Sequence, residues 1–88
     1  MEIRSIRYST HFRRAFKKLP SRFKKHVLER EIIFKNDCFD SRLDTHKLSG
    51  KLKGFWSFSI TYKHRILFAF KDKGEVDFID VDDHSIYK

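Results

Sequence analysis

The sequence is poor in cysteine, proline and glycine, with one, one and three of these residues among 88. A single cysteine excludes a disulfide within the chain, so Cys38 is expected to be a small buried side chain in a reducing compartment. No apolar run approaches the roughly 20 residues that a membrane-spanning helix needs. The chain is therefore expected to be one domain over residues 1–88, cytoplasmic and without contact to a membrane.

Motifs for metal or nucleotide binding are also missing. Cys38 has no second cysteine to pair with as a ligand, and the carboxylates of residues 72–83 have no matching histidine at i+4 on a helix. No glycine-rich phosphate loop leads into a helix, and no nucleophile elbow is present. We expect neither a metal nor a cofactor, which disfavours metalloenzymes and nucleotide hydrolases.

Positive charge is abundant and unevenly distributed. The formal net charge is +8, and residues 1–35 carry 11 Lys and Arg against 3 Asp and Glu, whereas the remainder of the chain is close to neutral. Such asymmetry favours a polyanionic partner, with nucleic acid first and an acidic protein segment second. A basic face that is merely solvated explains the charge about as well.

The first half of the sequence predicts a strand followed by two short helices. A strand is expected over Glu2–Tyr8, and Ser9 or Thr10 is a good N-cap for a helix that ends at Pro20. Ser21 is expected to cap a second helix that runs to about Lys35. Apolar residues at helical spacing predict its buried stripe: Phe23, Val27, Leu28 and Ile32.

From residue 55 the apolar period changes to two, which indicates strands. Trp56 to Tyr62 alternate with polar residues, Arg65–Phe70 forms a second strand, and Val76–Val81 a third after the turn signal Asp72-Lys73-Gly74. The predicted fold is therefore α+β: an N-terminal strand, a basic two-helix hairpin, then an antiparallel three-stranded meander with the helices on one sheet face.

The hairpin register can be argued from packing. A three-residue loop over residues 62–64 places Thr61 opposite Arg65 and all large apolar side chains on the face that the helices cover. Ser57, Ser59 and Thr61 would then share the uncovered face with Arg65. That face is either a platform for phosphates or bases, or an ordinary solvated surface.

Candidate functional residues lie in two stretches, "HKLSGKLKGFW" and the terminal "DDHSIYK". The first supplies His46 and three lysines next to glycines that let a backbone approach a bulky ligand. In the second, His84 titrates near neutrality and can move a proton, and Tyr87 can stack on a base or donate a proton. The alternative is that these are a basic loop and a docked terminus.

The run "HKLSGKLKGFWSFSITYKHRILFAF", with the closing strand and "DDHSIYK", resembles the RelE/ParE toxin superfamily of bacterial toxin–antitoxin systems, and most of all its YoeB- and YafQ-like messenger-RNA endoribonucleases. The resemblance covers nearly the whole chain. It implies metal-independent, ribosome-dependent cleavage of mRNA and neutralisation by a cognate antitoxin. It also implies roles for individual residues: Arg65 on the scissile phosphate, His84 as general acid, His46 as base or substrate ligand, Tyr87 in stacking, and Lys47, Lys51 and Lys53 on phosphates.

The sequence departs from this family at two points. Asp80 stands where some relatives carry an arginine, and the glutamate base of one branch has no clear counterpart. Two other functions therefore stay open: a gyrase-poisoning toxin of the ParE branch, which needs no acid–base pair, and a non-catalytic RNA- or protein-binding relative.

Overall fold

A computed structural model of the chain, which describes residues 1–83, has two helices packed on a five-stranded mixed sheet. The helices are α1 (Thr10–Lys18) and α2 (Ser21–Asn36), and the strands are β1 (Ser5–Tyr8), β2 (His46–Lys47), β3 (Trp56–Ser59), β4 (His64–Phe70) and β5 (Glu75–Asp83). The sheet order is β1-β5-β4-β3-β2. The predicted α+β fold, with its N-terminal strand, helical hairpin and meander, is confirmed. Among the helices described, none is long and apolar enough to cross a membrane.

Two strand pairings were not predicted. β1 runs parallel to β5, with Ile6 opposite Val76, so the first strand joins the sheet beside the last. The two residues of β2 pair antiparallel with β3, His46 opposite Ser57 and Lys47 opposite Trp56. These pairings extend the predicted meander at both edges.

The first helix begins as predicted and the second does not. Ser9 caps α1, because its Oγ accepts the amide of Phe12 at 2.9 Å. Ser21 is not a cap: Pro20 holds the N-cap position of α2, with no side-chain bond, and Ser21 is the first helical residue. The extended backbone of Pro20 instead directs its carbonyl to the amides of Phe23 and Lys24.

The predicted buried stripe of α2 is wrong at two of its positions. Leu28 and Ile32 are 56% and 65% exposed, whereas Val27 and Phe34, two helical turns apart, are buried. Phe34 stacks on Phe58 with 4.6 Å between ring centroids and also contacts the rings of two further core phenylalanines. Packing of this one ring fixes the rotation of α2, and Leu28 and Ile32 are left outside.

The alternation of the strands decides which side chains face the helices. Phe58, Ile66, Phe68 and Phe78 are fully buried in the core between sheet and helices. Because successive side chains on a strand point to opposite faces, Arg65 lies on the other face of the sheet.

The β3–β4 register differs from the prediction by two residues. Ser59, not Thr61, is opposite Arg65, and residues 60–63 connect the two strands. Thr61 Oγ1 accepts the amides of Lys63 at 3.3 Å and His64 at 3.1 Å, which places Thr61 in the loop. A shift of two residues keeps every side chain on its predicted face.

A β-bulge shapes the end of β5. Leu67 is opposite Asp80 and Phe68 is opposite Phe78, so Ile79 is the extra residue. The hydroxyl of Ser9 donates to the Ile79 carbonyl at 2.8 Å. Beyond the bulge, Asp82 lies opposite Arg65.

Candidate functional site

Arg65 is the charged centre of the sheet face that points away from the helices. It lies between Ser59 of β3 and Asp82 of β5, and its side chain is only 16% exposed. Its Nη2 donates to Asp44 Oδ2 at 3.1 Å. Its Nη1 is buried and has no hydrogen-bond partner among the described residues. An unmet guanidinium donor away from water is costly, whereas the exposed part of the planar fork is suited to bind an anion.

His46 lies on the same face as Arg65. It is exposed, and its β2 position is opposite Ser57, whose side chain shares the Arg65 face. His46 Nδ1 is 3.0 Å from the carbonyl oxygen of Asp44. Asp44 therefore contacts both Arg65, through its carboxylate, and His46, through its backbone, and brings together two residues that the sequence predicted for the site.

The predicted open polar platform is wrong in part. Ser57 is completely buried, and its hydroxyl has no partner within the described part of the chain. Thr61 lies in the hairpin loop, where its hydroxyl is 3.0 Å from His64 Nδ1. Leu67 and Ala69 are each 8% exposed on the same face. The surface around Arg65 is thus closely packed, with polar groups concentrated at Arg65, His46 and Asp44.

The three predicted phosphate-binding lysines occupy different places. Lys47 does not face the site: it is opposite Trp56 and its ammonium lies 5.6 Å from that ring, on the helix side of the sheet. Lys51 and Lys53 are exposed around the turn Gly50–Leu52. That turn lies beyond the Trp56 end of β3, and the four-residue step from Ser59 back to Phe55 is about 13 Å along a strand.

The glycines at this turn are required by its backbone. Gly50 and Gly54 have φ of 65° and 97°, values that side chains disfavour. The turn closes through the amide of Leu48, which donates to Phe55 O at 3.0 Å. Lys51 and Lys53 are therefore exposed on a defined turn that lies away from Arg65 in the direction of the strands.

The predicted site residues His84 and Tyr87 lie outside the described residues. The last described residue of β5, Asp83, pairs with His64, which immediately precedes Arg65.

Asp80, at which the sequence departs from the family that it resembles, contacts the first helix. Its carboxylate lies 3.2 Å from His11 Nε2 of α1 and also accepts the amide of Val81 at 2.8 Å. Asp82 is the cross-strand neighbour of Arg65, and the acid that accepts a hydrogen bond from its Nη2 is Asp44, a residue that no sequence signal distinguished. Within residues 1–83, no cluster of three His, Cys, Asp or Glu side chains is arranged to hold a metal ion.

Solved structures match this chain, although no sequence family does. No protein-family model and no curated protein sequence matches the chain. Its structure is similar to the YoeB/ParE toxin of Agrobacterium tumefaciens, with TM-score 0.77 and 18% identity over 92% of this chain and 99% of that one. The chain has the RelE/ParE toxin fold.

Similar structures with the RelE/ParE fold include complexes. One is a YoeB–YefM complex from Staphylococcus aureus, with TM-score 0.73 and 18% identity over 96% of this chain and 99% of that one. Another is the toxin–antitoxin complex RelBE2 of Mycobacterium tuberculosis, with TM-score 0.66 and 25% identity over 97% of this chain and 95% of that one. The resemblance recognised in the sequence is therefore matched by the three-dimensional fold.

Proposed function

We propose that the chain is the toxin of a toxin–antitoxin system and that it cleaves messenger RNA on the ribosome, in the cytoplasm and without a metal. The observation that carries this proposal is the guanidinium of Arg65, which is held between two strands and lies on one sheet face with His46. The planar fork of a guanidinium is suited to bind a phosphodiester. Solved toxins of the same fold support the assignment.

The proposed reaction is an internal transfer at the RNA backbone. His46 removes the proton of a ribose 2′-hydroxyl, and the 2′-oxygen attacks the adjacent phosphorus. The bond from phosphorus to the 5′-oxygen breaks, and His84 gives that oxygen a proton. The products are a 2′,3′-cyclic phosphate and a free 5′-hydroxyl, so atoms and charge balance without a cofactor.

Electrostatic stabilisation comes from Arg65 in this mechanism. Negative charge develops on the non-bridging phosphate oxygens, and a preorganised guanidinium stabilises that charge more in the transition state than in the ground state. Lys51 and Lys53 neutralise phosphates farther along the message, and Tyr87 stacks on a base. Lys47 takes no part, because it lies over Trp56 on the other sheet face.

Expression in bacteria tests the proposal. We expect induction of the wild-type chain to arrest growth and His84→Gln or Arg65→Ala to relieve the arrest. Lys25→Ala, which removes an exposed charge from α2, is the control that should stay toxic. Soluble yield and thermal melting of each variant show that relief is not due to unfolding. Full toxicity in both site variants would remove the proposed site.

Primer extension on cellular mRNA after induction separates the functions that remained open. Cuts at fixed codon positions support the nuclease. Intact mRNA with DNA damage supports a gyrase-poisoning toxin instead, and an absence of any growth effect supports a non-catalytic binding protein.

The proposed partner is an acidic antitoxin segment that covers the basic helical hairpin. A groove of about 530 Å³ runs between α1 and α2. Its lining combines apolar and basic side chains with one acidic residue; it includes Phe12, Phe16, Val27 and Leu28, with Arg13, Arg14, Lys17 and Glu31. An amphipathic helix with acidic flanks can lay its apolar face on the apolar side chains of such a groove and pair its acidic residues with the basic ones. The known complexes of the same fold, such as YoeB–YefM, support a protein partner of this kind.

A further inference from the structure

Asp44 contacts both Arg65 and His46 of the proposed active site. Its carboxylate accepts from Arg65 at 3.1 Å and its carbonyl oxygen lies 3.0 Å from His46 Nδ1. The geometry points to Asp44 as a positioning residue that orients the Arg65 guanidinium and fixes the tautomer of His46. This inference rests on the proposed nuclease function and specifies which atom of His46 takes the proton.

The backbone of Asp44 is unusual and firmly held. It adopts a left-handed conformation with φ 50° and ψ 47°, which aspartate tolerates better than most residues. On one side Leu43 is fully buried in the core, and on the other Thr45 Oγ1 donates to the Cys38 carbonyl at 2.6 Å. Because both neighbours are anchored, the left-handed turn directs the Asp44 carbonyl to one fixed place.

The contact with that carbonyl determines the tautomer of a neutral His46. A carbonyl oxygen can only accept a hydrogen bond, so Nδ1 must carry the hydrogen. Nε2 then keeps its lone pair, and the exposed ring presents it to the solvent side of the site. A general base needs such a lone pair within reach of the hydroxyl that it deprotonates.

The carboxylate of Asp44 acts on Arg65. The side chain of Asp44 is 68% exposed and that of Arg65 is 16% exposed, so a surface carboxylate pairs with a mostly buried guanidinium. An ion pair this exposed contributes little to stability. It restricts rotation of the planar fork, however, and so holds the guanidinium in one orientation toward the phosphate.

Three substitutions at this position separate the backbone effect from the side-chain effect. Asp44→Asn keeps a residue that tolerates the left-handed turn and an oxygen that can accept from Arg65. Asp44→Gly keeps the turn and removes the side chain. Asp44→Val disfavours the turn itself, because a β-branched residue is strained there.

Nitrogen-resolved NMR of the full-length protein without RNA is the first measurement. We expect wild type, Asp44→Asn and Asp44→Gly to show His46 with its hydrogen on Nδ1, and Asp44→Val to lose that signature. We also expect separate, slowly exchanging Nη signals of Arg65 in wild type and Asp44→Asn, averaged in Asp44→Gly. Hydrogen on Nε2 of His46 in the wild type, or Arg65 signals that Asp44→Gly leaves unchanged, would overturn the inference.

Cleavage kinetics on ribosome-bound message form the second measurement. Loss of orientation should lower kcat about tenfold in Asp44→Gly and about a hundredfold in Asp44→Val, with KM little changed. Asp44→Asn should stay within about threefold of wild type, since the amide oxygen replaces the acceptor. Wild-type kcat in Asp44→Val would contradict the positioning role. Failure of the wild type to cleave RNA would instead contradict the nuclease proposal, while the NMR result would still decide the role of Asp44.

Discussion

Ser59 and Arg65 are direct cross-strand partners on β3 and β4. Their pairing places the guanidinium on the sheet face opposite the phenylalanine core, because the next residue along β4, Ile66, is fully buried against the helices. The arginine is thereby held between two strands rather than on a loop. A site built on strands keeps its geometry better than one on loops.

The first prediction concerns the shape of this cation. Arg65→Lys keeps the charge but replaces a planar fork with a point charge, and lysine cannot make the same paired contacts to a phosphate. We expect RNA cleavage to fall by about a hundredfold. The measurement is the cleavage rate of message in a reconstituted translation system.

Arg22→Lys is the matched control, since Arg22 is an exposed residue of α2. It should keep wild-type activity. An Arg65→Lys variant that cleaves at the wild-type rate would show that charge alone, not the fork, is needed.

The second prediction concerns the groove between the helices. Leu28 lines the groove and is 56% exposed, so it is available to a partner without being needed in the core. Leu28→Ser should weaken binding of the cognate antitoxin by at least about tenfold, the effect of losing roughly 1.4 kcal/mol of contact. Titration calorimetry with the product of an adjacent acidic reading frame measures it.

Ile32→Ser provides the comparison within the same helix. Ile32 is 65% exposed but does not line the groove. We expect this change to leave antitoxin affinity unchanged, and both changes to alter the free energy of unfolding by less than about 0.5 kcal/mol. Equal loss of affinity in the two variants would place the partner elsewhere on α2.

The sheet faces could be predicted from the sequence, but not all of the pairing. Alternation assigned the faces of Trp56, Phe58, Ile66 and Phe68 correctly, because the face of a strand residue depends only on whether its position is odd or even, but Leu67 lies on the Arg65 face, where no large apolar side chain was predicted. The register depends on where the loop starts, and that is decided by the hydroxyl of Thr61 bonding two amides. β2 has only two residues, too few for any periodic pattern, so its pairing with β3 was not predicted.

The site was predictable to a similar degree. Arg65 and His46 share a face, as the sequence suggested, but Lys47 follows His46 directly and must point to the other face once β2 is a strand. Asp44 was missed because its role comes from a left-handed backbone and a contact 21 residues away in sequence. Neither leaves a pattern in the sequence.

The third prediction tests the observed hairpin loop. Thr61→Val removes the acceptor for the amides of Lys63 and His64 and the contact with His64 Nδ1. We expect the free energy of unfolding to fall by about 1–2 kcal/mol. Urea denaturation measures this loss.

Thr10→Val makes the same chemical change at an exposed position of α1 and should cost less than about 0.5 kcal/mol. If the loop were residues 62–64 instead, Thr61→Val and Thr10→Val would lower the free energy of unfolding by the same amount.

The fourth prediction concerns the pH dependence of stability. The Tyr8 hydroxyl donates to both carboxylate oxygens of Glu31 at 3.0 Å, and burial, followed by the negative charge of Glu31, raises the pKa of Tyr8 to about 12. The folded state therefore favours the protonated phenol. The stability that this hydroxyl contributes is fully present below the tyrosine pKa of an unfolded chain, about 10, and is lost as the pH rises toward 12.

Tyr8→Phe should therefore be less stable than wild type by about 1 kcal/mol at pH 9, a value that allows for solvent screening of this partly exposed group. The difference should shrink between pH 10 and 12, as urea unfolding at each pH can show. Tyr62→Phe is the control, because Tyr62 is 94% exposed, and it should match wild type at every pH. A Tyr8→Phe difference that stays constant up to pH 12 would mean that ionisation of this hydroxyl is not linked to folding.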